Sequence, residues 1–132
     1  MPKSGLNKKI VLIVEDEVAL LYAFKEEFMS AGFEVFEAKN GKEGLDIAIG
    51  KHPDMILLDI LMPVMDGLTM LKKLREDAWG KNAQVIILTN LNDVQKVSEA
   101  LTSVTFDYLV KADWKIEDIV KKVKERLKDK LD

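Results

Sequence analysis

Cysteine is absent from this chain of 132 residues, and histidine occurs once, at position 52. Without thiols there can be no disulfide, no thiolate metal site, no thiol nucleophile and no dithiol redox motif. A lone His52 excludes multi-histidine metal sites and multi-histidine catalysis. Gly/Ser/Pro linkers, low-complexity tracts and copied repeats are also missing. No apolar run approaches the roughly 18 residues of a membrane span. The opening Met1-Pro2-Lys3-Ser4-Gly5 has no apolar segment such as a signal peptide needs, so a cytoplasmic location is expected. Neither sign of charge dominates, with 20 bases against 23 acids.

Apolar residues make up 48% of the chain and charged residues 33%, which is a globular composition. Chains near ~150 residues bury roughly 70% of their unfolded surface, so one domain with a real core is expected. Charge is distributed unevenly. Residues 1–14 hold three lysines and no acid, residues 111–132 hold eight bases and six acids, and residues 15–110 hold nine bases and seventeen acids. A nucleic-acid binder would show a basic face. Here the middle of the chain is acidic, which is either a solvated surface or a set of acids that holds a cation.

Apolar periodicity predicts strands alternating with helices. Ile10 to Val14, Met55 to Ile60 and Val85 to Thr89 read as continuous β runs, and Phe33 to Ala38 and Phe106 to Val110 as short strands that carry charges. Helical spacing appears at Leu21, Phe24 and Phe28, with Gly32 as a left-handed cap. It recurs after Asn40-Gly41 at Leu45, Ala48 and Ile49, closed by Gly50. After Asp66-Gly67 it runs through Leu68, Leu71 and Leu74, closed by Gly80. Asn92 opens a helix with Val94, Val97 and Leu101. The last helix carries Ile116, Ile119, Val120, Val123, Leu127 and Leu131. Residues 1–8 read as a flexible arm and 9–131 as the domain.

Such alternation implies a parallel sheet with right-handed crossovers. Runs that are apolar on both faces belong in its middle and charged strands at its edges. The expected fold is a single doubly wound α/β domain, (βα)5, with strand order 2-1-3-4-5. Ligands of such sheets bind beyond the carboxyl ends of the strands, where the order reverses.

At those ends stand Glu15-Asp16, Asp59, Thr89 and Lys111. Converging carboxylates repel, so they need a counter-charge or their pKa values rise. An oxygen-only cluster suits a hard cation, and Mg²⁺ fits best. A carboxylate beside it is a competent nucleophile toward a phosphoryl group. The hydroxyl of Thr89 and the ammonium of Lys111 are suitable donors for phosphoryl oxygens. Taken singly, Glu15-Asp16 suits a helix entry equally well, Thr89 an ordinary strand end and Lys111 a snorkelling lysine. Asp59, between Leu58 and Ile60, has the weakest ordinary explanation, because an unpaired buried carboxylate is costly.

The segments Val11-Leu12-Ile13-Val14-Glu15-Asp16-Glu17, Leu57-Leu58-Asp59-Ile60-Leu61-Met62-Pro63-Val64-Met65-Asp66-Gly67, Ile87-Leu88-Thr89 and Tyr108-Leu109-Val110-Lys111 together resemble a response-regulator receiver domain of two-component signalling. The resemblance covers residues 9–131 and implies the flavodoxin-like form of the fold. It implies Asp59 as phosphoacceptor, and Mg²⁺ held by Glu15, Asp16, Asp59 and the backbone carbonyl of Leu61. It makes Thr89 and Tyr108 a switch pair and Lys111 the phosphoryl-binding lysine. The partners it implies are a histidine kinase or histidine phosphotransfer protein and a downstream protein of unstated identity. That protein would meet a face built from the helix after the fourth strand, the fifth strand and the last helix. Nucleic acid and membrane are not expected as partners, and the chain is expected as a monomer or a weak phosphorylation-dependent dimer. No output domain is expected after the last helix, so the expected form is a single-domain regulator or a receiver from a larger protein.

Two rival functions are weaker. A degenerate, unphosphorylated scaffold would have lost an acid, the Thr or the Lys, and none is lost. A Mg²⁺-dependent phosphatase with an Asp nucleophile needs a second acid two residues later, where Leu61 stands. Three positions depart from the usual receiver pattern: Ala112 in place of proline after Lys111, Asn90 after Thr89, and Leu61. A cis peptide costs about 2.5–4 kcal/mol before a residue other than proline, so Lys111–Ala112 is expected to be trans.

Overall fold

The computed structural model describes residues 8–90, 93, 95 and 107–128. Five strands, β1 (Ile10–Val14), β2 (Glu34–Ala38), β3 (Met55–Asp59), β4 (Val85–Thr89) and β5 (Asp107–Val110), form one sheet in the order β2-β1-β3-β4-β5. Every pairing is parallel. Four described helices accompany it: α1 (Val18–Ser30), α2 (Gly41–Lys51), α3 (Gly67–Arg75) and α4 (Ile116–Lys128). The helix expected at Asn92, Val94, Val97 and Leu101 lies outside the described residues, as do Phe106, Leu131 and residues 1–7 of the expected arm.

Continuous apolar strands feed two cores. Val11, Ile13, Met55, Leu57, Ile86 and Leu88 point to one face, against Phe24 and Phe28 of α1 and Ile119, Val120, Val123 and Leu127 of α4. Leu12, Val14, Ile56, Leu58, Val85 and Ile87 point to the other, against Ala48 of α2 and Met70, Leu71 and Leu74 of α3. Strand side chains alternate between faces. A strand covered on both faces therefore has no polar position to spare, which is why β1, β3 and β4 read as unbroken runs.

The helix ends differ from expectation in two places. Gly50 lies within α2, and His52 is the residue that turns left-handed (φ 50°), its N–H donating to Ala48 O at 2.9 Å. Histidine tolerates that region better than most side chains. Ile49, expected on the buried face, is exposed. Helix α3 ends at Arg75, five residues before Gly80. Gly80 serves a close approach instead: a Cβ there would sit 2.2 Å from Leu74 O. The Arg75 guanidinium fastens this corner by donating to Gly80 O and Ala83 O, each at 2.8 Å. Gly32 (φ 98°) is a left-handed cap of α1 as expected.

Candidate functional site: the carboxyl rim of the sheet

The three central strands deliver the rim. Strand β1 leads directly into Glu15 and Asp16, and Glu15 N–H donates to Ala38 O of β2 at 2.9 Å, which extends the pairing by one residue. Asp59 is the last residue of β3, in register with Leu88 of β4, and Thr89 pairs with Val110 of β5. Lys111 follows at the start of a 3-10 turn, Lys111–Asp113. Its peptide to Ala112 is trans, since the described residues contain no cis bond.

Carboxylate oxygens of Glu15, Asp16 and Asp59 lie within 4.8 Å of one another. Glu15 and Asp59 are buried while Asp16 is exposed. Lys111 Nζ sits 2.7 Å from Asp59 Oδ1 and 3.3 Å from Glu15 Oε1. The second oxygen of Glu15, Oε2, accepts the N–H of Glu17 at 3.1 Å. That bond satisfies the helix-entry reading in part, because Glu17 is the N-cap of α1 and its own side chain makes no capping bond. Glu15 therefore serves the helix entry and the cluster together.

Electrostatics show a cluster short of positive charge. Burial, reinforced by the neighbouring Asp59, pushes the Glu15 carboxyl above its ordinary value, against the Glu17 N–H and Lys111. Burial also raises Asp59, more than its bond to Lys111 lowers it. For Lys111, burial acts downward but the bonds and charges of Asp59 and Glu15 outweigh it, so its pKa is raised and it stays protonated. One ammonium against three carboxylates leaves room for a further cation. The donors are all oxygens, as a hard divalent ion prefers.

Thr89 is buried, and its hydroxyl donates to Asn90 O at 3.1 Å. Tyr108 lies two residues upstream of Val110, paired with Ile87, with 40% of its surface exposed. Leu61, two residues past Asp59, is 55% exposed.

This arrangement has close relatives. The sequence model of the response regulator receiver domain matches residues 11–124. The chain belongs to the response-regulator receiver family. Among curated proteins, this receiver is 36% identical over 95 residues to the sporulation initiation phosphotransferase F of Bacillus subtilis, covering 72% of this chain and 74% of that one. It is 34% identical over 125 residues to the transcriptional regulatory protein PrrA of Mycobacterium tuberculosis, covering 95% of this chain and 52% of that one. The match to the probable transcriptional regulator ycf27 of Cyanophora paradoxa, at 34% identity, covers 80% of this chain and 43% of that one. The receiver thus spans about half the length of these transcriptional regulators. Among solved structures, the receiver domain of the Francisella response regulator 1452 superposes with a TM-score of 0.81 at 31% identity, covering 93% and 99% of the two chains. The receiver domain of sensor histidine kinase PA1611 of Pseudomonas aeruginosa has a TM-score of 0.79 at 26% identity, covering 89% and 96%, and carries a magnesium ion coordinated in its active site cleft.

Glu15, Asp16, Asp59 and Lys111 are therefore brought together as the strand ends require. The backbone of Leu61 and the hydroxyl of Thr89 lie on adjoining segments. Two residues that the sequence marks only as helix openers, Gly41 and Gly67, both press on the loop that follows Asp59. The available signal is glycine in a helical first turn, where its low propensity needs a reason.

Proposed function

We propose that this receiver accepts a phosphoryl group on Asp59, from a histidine kinase or histidine phosphotransfer protein, in a Mg²⁺-dependent reaction, and that phosphorylation switches a partner-binding face. The observation that carries the reading is the buried Asp59 with Lys111 Nζ at 2.7 Å and two further acids within 4.8 Å.

An Asp59 carboxylate oxygen attacks the phosphorus in line. A new O–P bond forms as the N–P bond to the donor imidazole breaks, and the departing imidazole nitrogen is protonated by solvent. Lys111 already bridges to the acceptor and neutralises phosphoryl oxygen charge as it is delivered. Glu15, Asp16, Asp59 and the Leu61 carbonyl would hold Mg²⁺, which when bound neutralises phosphoryl oxygens and fixes their orientation. The phosphatase alternative lacks a second acid, because Leu61 occupies the position where one is needed.

In the unphosphorylated state the Thr89 hydroxyl is engaged by Asn90 O. A phosphoryl oxygen offers it a charged acceptor, which is the stronger partner. Its turn toward Asp59 vacates space for the Tyr108 ring, and the two packings bind a partner differently. Of the proposed face, β5 and α4 are among the described elements, whereas the expected residues Asn92, Val94, Val97 and Leu101 of the intervening helix lie outside the described residues.

A Mg²⁺ titration at neutral pH tests the site. Saturable binding is expected in the wild type and should be largely abolished by Asp16→Asn and by Asp59→Asn. Binding that is unchanged in both variants contradicts the assignment.

A further inference from the structure

The loop between β3 and α3, residues 60–66, is pinned at two points, each by a glycine. At its base, Gly67 N–H donates to Ile60 O at 2.9 Å, and a Cβ on Gly67 would sit 2.2 Å from Asp59 O. At its tip, Gly41 N–H donates to Met65 O at 2.8 Å. A Cβ on Gly41 would sit 2.4 Å from that same oxygen and 3.0 Å from Asp66 O. Gly41 opens α2, whose first N–H groups have no partner inside the helix. Asn40 Oδ1 takes the N–H of Glu43 at 2.9 Å, and the loop takes that of Gly41.

Between the pins the loop is strained. Met65 N–H donates to Pro63 O at 2.7 Å, which closes a three-residue turn centred on Val64 at φ 68°. That turn is the rare γ form, and a β-branched residue with positive φ is a genuine outlier. Such a conformation persists only where its surroundings over-determine it. The Val64 side chain, 79% exposed, packs too little to do this, so the hydrogen bonds at both pins must.

We infer that Gly41 is a positioning residue of the phosphoacceptor site: its N–H and its missing side chain clamp the Met65 carbonyl, and so fix the loop that carries the Leu61 carbonyl beside Asp59. This rests on the reading of Asp59 as phosphoacceptor with Mg²⁺ on the rim. Gly41 touches neither phosphoryl group nor metal. It acts through the loop, as outer partners of metal ligands do when their loss costs about 10–100-fold in metal affinity. Because coupling is reciprocal, the metal must tighten the clamp by the same factor.

Three chains in one Mg²⁺ titration, followed by NMR, test this: wild type, Gly41→Ala and Gly44→Ala. Gly44 lies on the same helix and is also crowded, though by side chains and less closely, with Met70 Sδ and Val14 Cγ2 at 2.9 Å from the place of a Cβ, and it faces the core rather than the loop. Both variants lose stability. Gly41→Ala alone is expected to weaken Mg²⁺ about tenfold and to shift the metal-free amide resonances of Leu61, Met62 and residues 64–67. Gly44→Ala is expected to stay within about twofold of the wild type, well below that cost. Equal affinity in Gly41→Ala and wild type overturns the inference, as does an equal loss in Gly44→Ala. Should Gly41→Ala not fold, the wild type decides. Mg²⁺ should slow hydrogen exchange at the Gly41 amide, and unchanged exchange at saturating Mg²⁺ overturns the clamp. If the wild type itself binds no Mg²⁺, the phosphoacceptor reading fails, and the metal-free shifts still report whether Gly41 sets the loop.

Discussion

Lys111 Nζ lies 2.7 Å from Asp59 Oδ1 and so ties the end of β3 to the turn after β5, across the intervening β4. The ammonium also reaches Glu15 at 3.3 Å, so it is the shared counter-ion of two buried acids that belong to different strands. Removing one partner of a buried pair leaves the others uncompensated, at about 1–3 kcal/mol for an unsatisfied group. Lys111→Ala is therefore expected to lose stability in that range in metal-free buffer at neutral pH, with part of the loss recovered by Mg²⁺. Urea denaturation with and without the ion measures it. No loss in metal-free buffer would show that the bridge is not what balances the cluster.

The same acids set a pH dependence. Glu15 and Asp59 both have folded-state pKa values raised above the ordinary 4.5 and 3.8, chiefly by burial. A group raised on folding adds stability below its unfolded pKa and loses it as pH climbs through the folded value. Both charges therefore destabilise the metal-free protein at neutral pH. Asp59→Asn, which removes one of them, is expected to be more stable than the wild type in EDTA at neutral pH. Its advantage should fade as the pH falls to the ordinary carboxylate range. Denaturation midpoints at several pH values give the comparison, and an Asp59→Asn chain that is less stable than the wild type at neutral pH would reverse the sign.

The two tryptophans should report on different ends of the sheet. The backbone N–H of Trp114 donates to Lys111 O at 3.4 Å, at the carboxyl rim. Trp79 is stacked on His52, with ring centroids 4.4 Å apart, beside the segments that enter β3 and β4. Any fluorescence response to Mg²⁺ or beryllofluoride should survive Trp79→Phe and be mostly lost in Trp114→Phe. The reverse pattern would move the conformational response away from the rim.

Much of this was legible in the sequence, for a physical reason. A strand buried on both faces has no polar position, so Asp59 could only be an end residue or a liability. Glu15, Thr89 and Lys111 close similar runs, and parallel strands put all their carboxyl ends on one side. What was not legible depended on backbone approach. Gly41, Gly67 and Gly80 read as helix punctuation, yet each is glycine because a carbonyl oxygen occupies the place of its Cβ. The left-handed His52 in place of Gly50 and the exposed Ile49 are set by how α2 packs, which periodicity cannot resolve. Nor does residue type reveal that the Thr89 hydroxyl is bonded to its own neighbour.

Phosphoryl lifetime offers a test of the two residues flanking the site. Leu61 and Asn90 lie just past the rim ends of β3 and β4 and are both exposed, on the side from which solvent would approach a phosphoryl group on Asp59. Leu61 offers an attacking water no hydrogen bond, and Asn90 is bulkier than alanine or glycine. Since a misplacement of one ångström costs about a hundredfold in a positioned reaction, the acyl phosphate is expected to decay slowly, and faster in Leu61→Asn and Asn90→Ala. Decay in both variants that is no faster than in the wild type would remove shielding as the cause.

Whether Asp59 is the phosphoacceptor is measured directly by covalent labelling with acetyl phosphate, followed by intact mass and peptide mapping. One phosphoryl group is expected on Asp59, labile to hydroxylamine as an acyl phosphate must be, dependent on Mg²⁺ and absent from Asp59→Asn. Label that maps to another residue, or that enters Asp59→Asn at the wild-type rate, would contradict it.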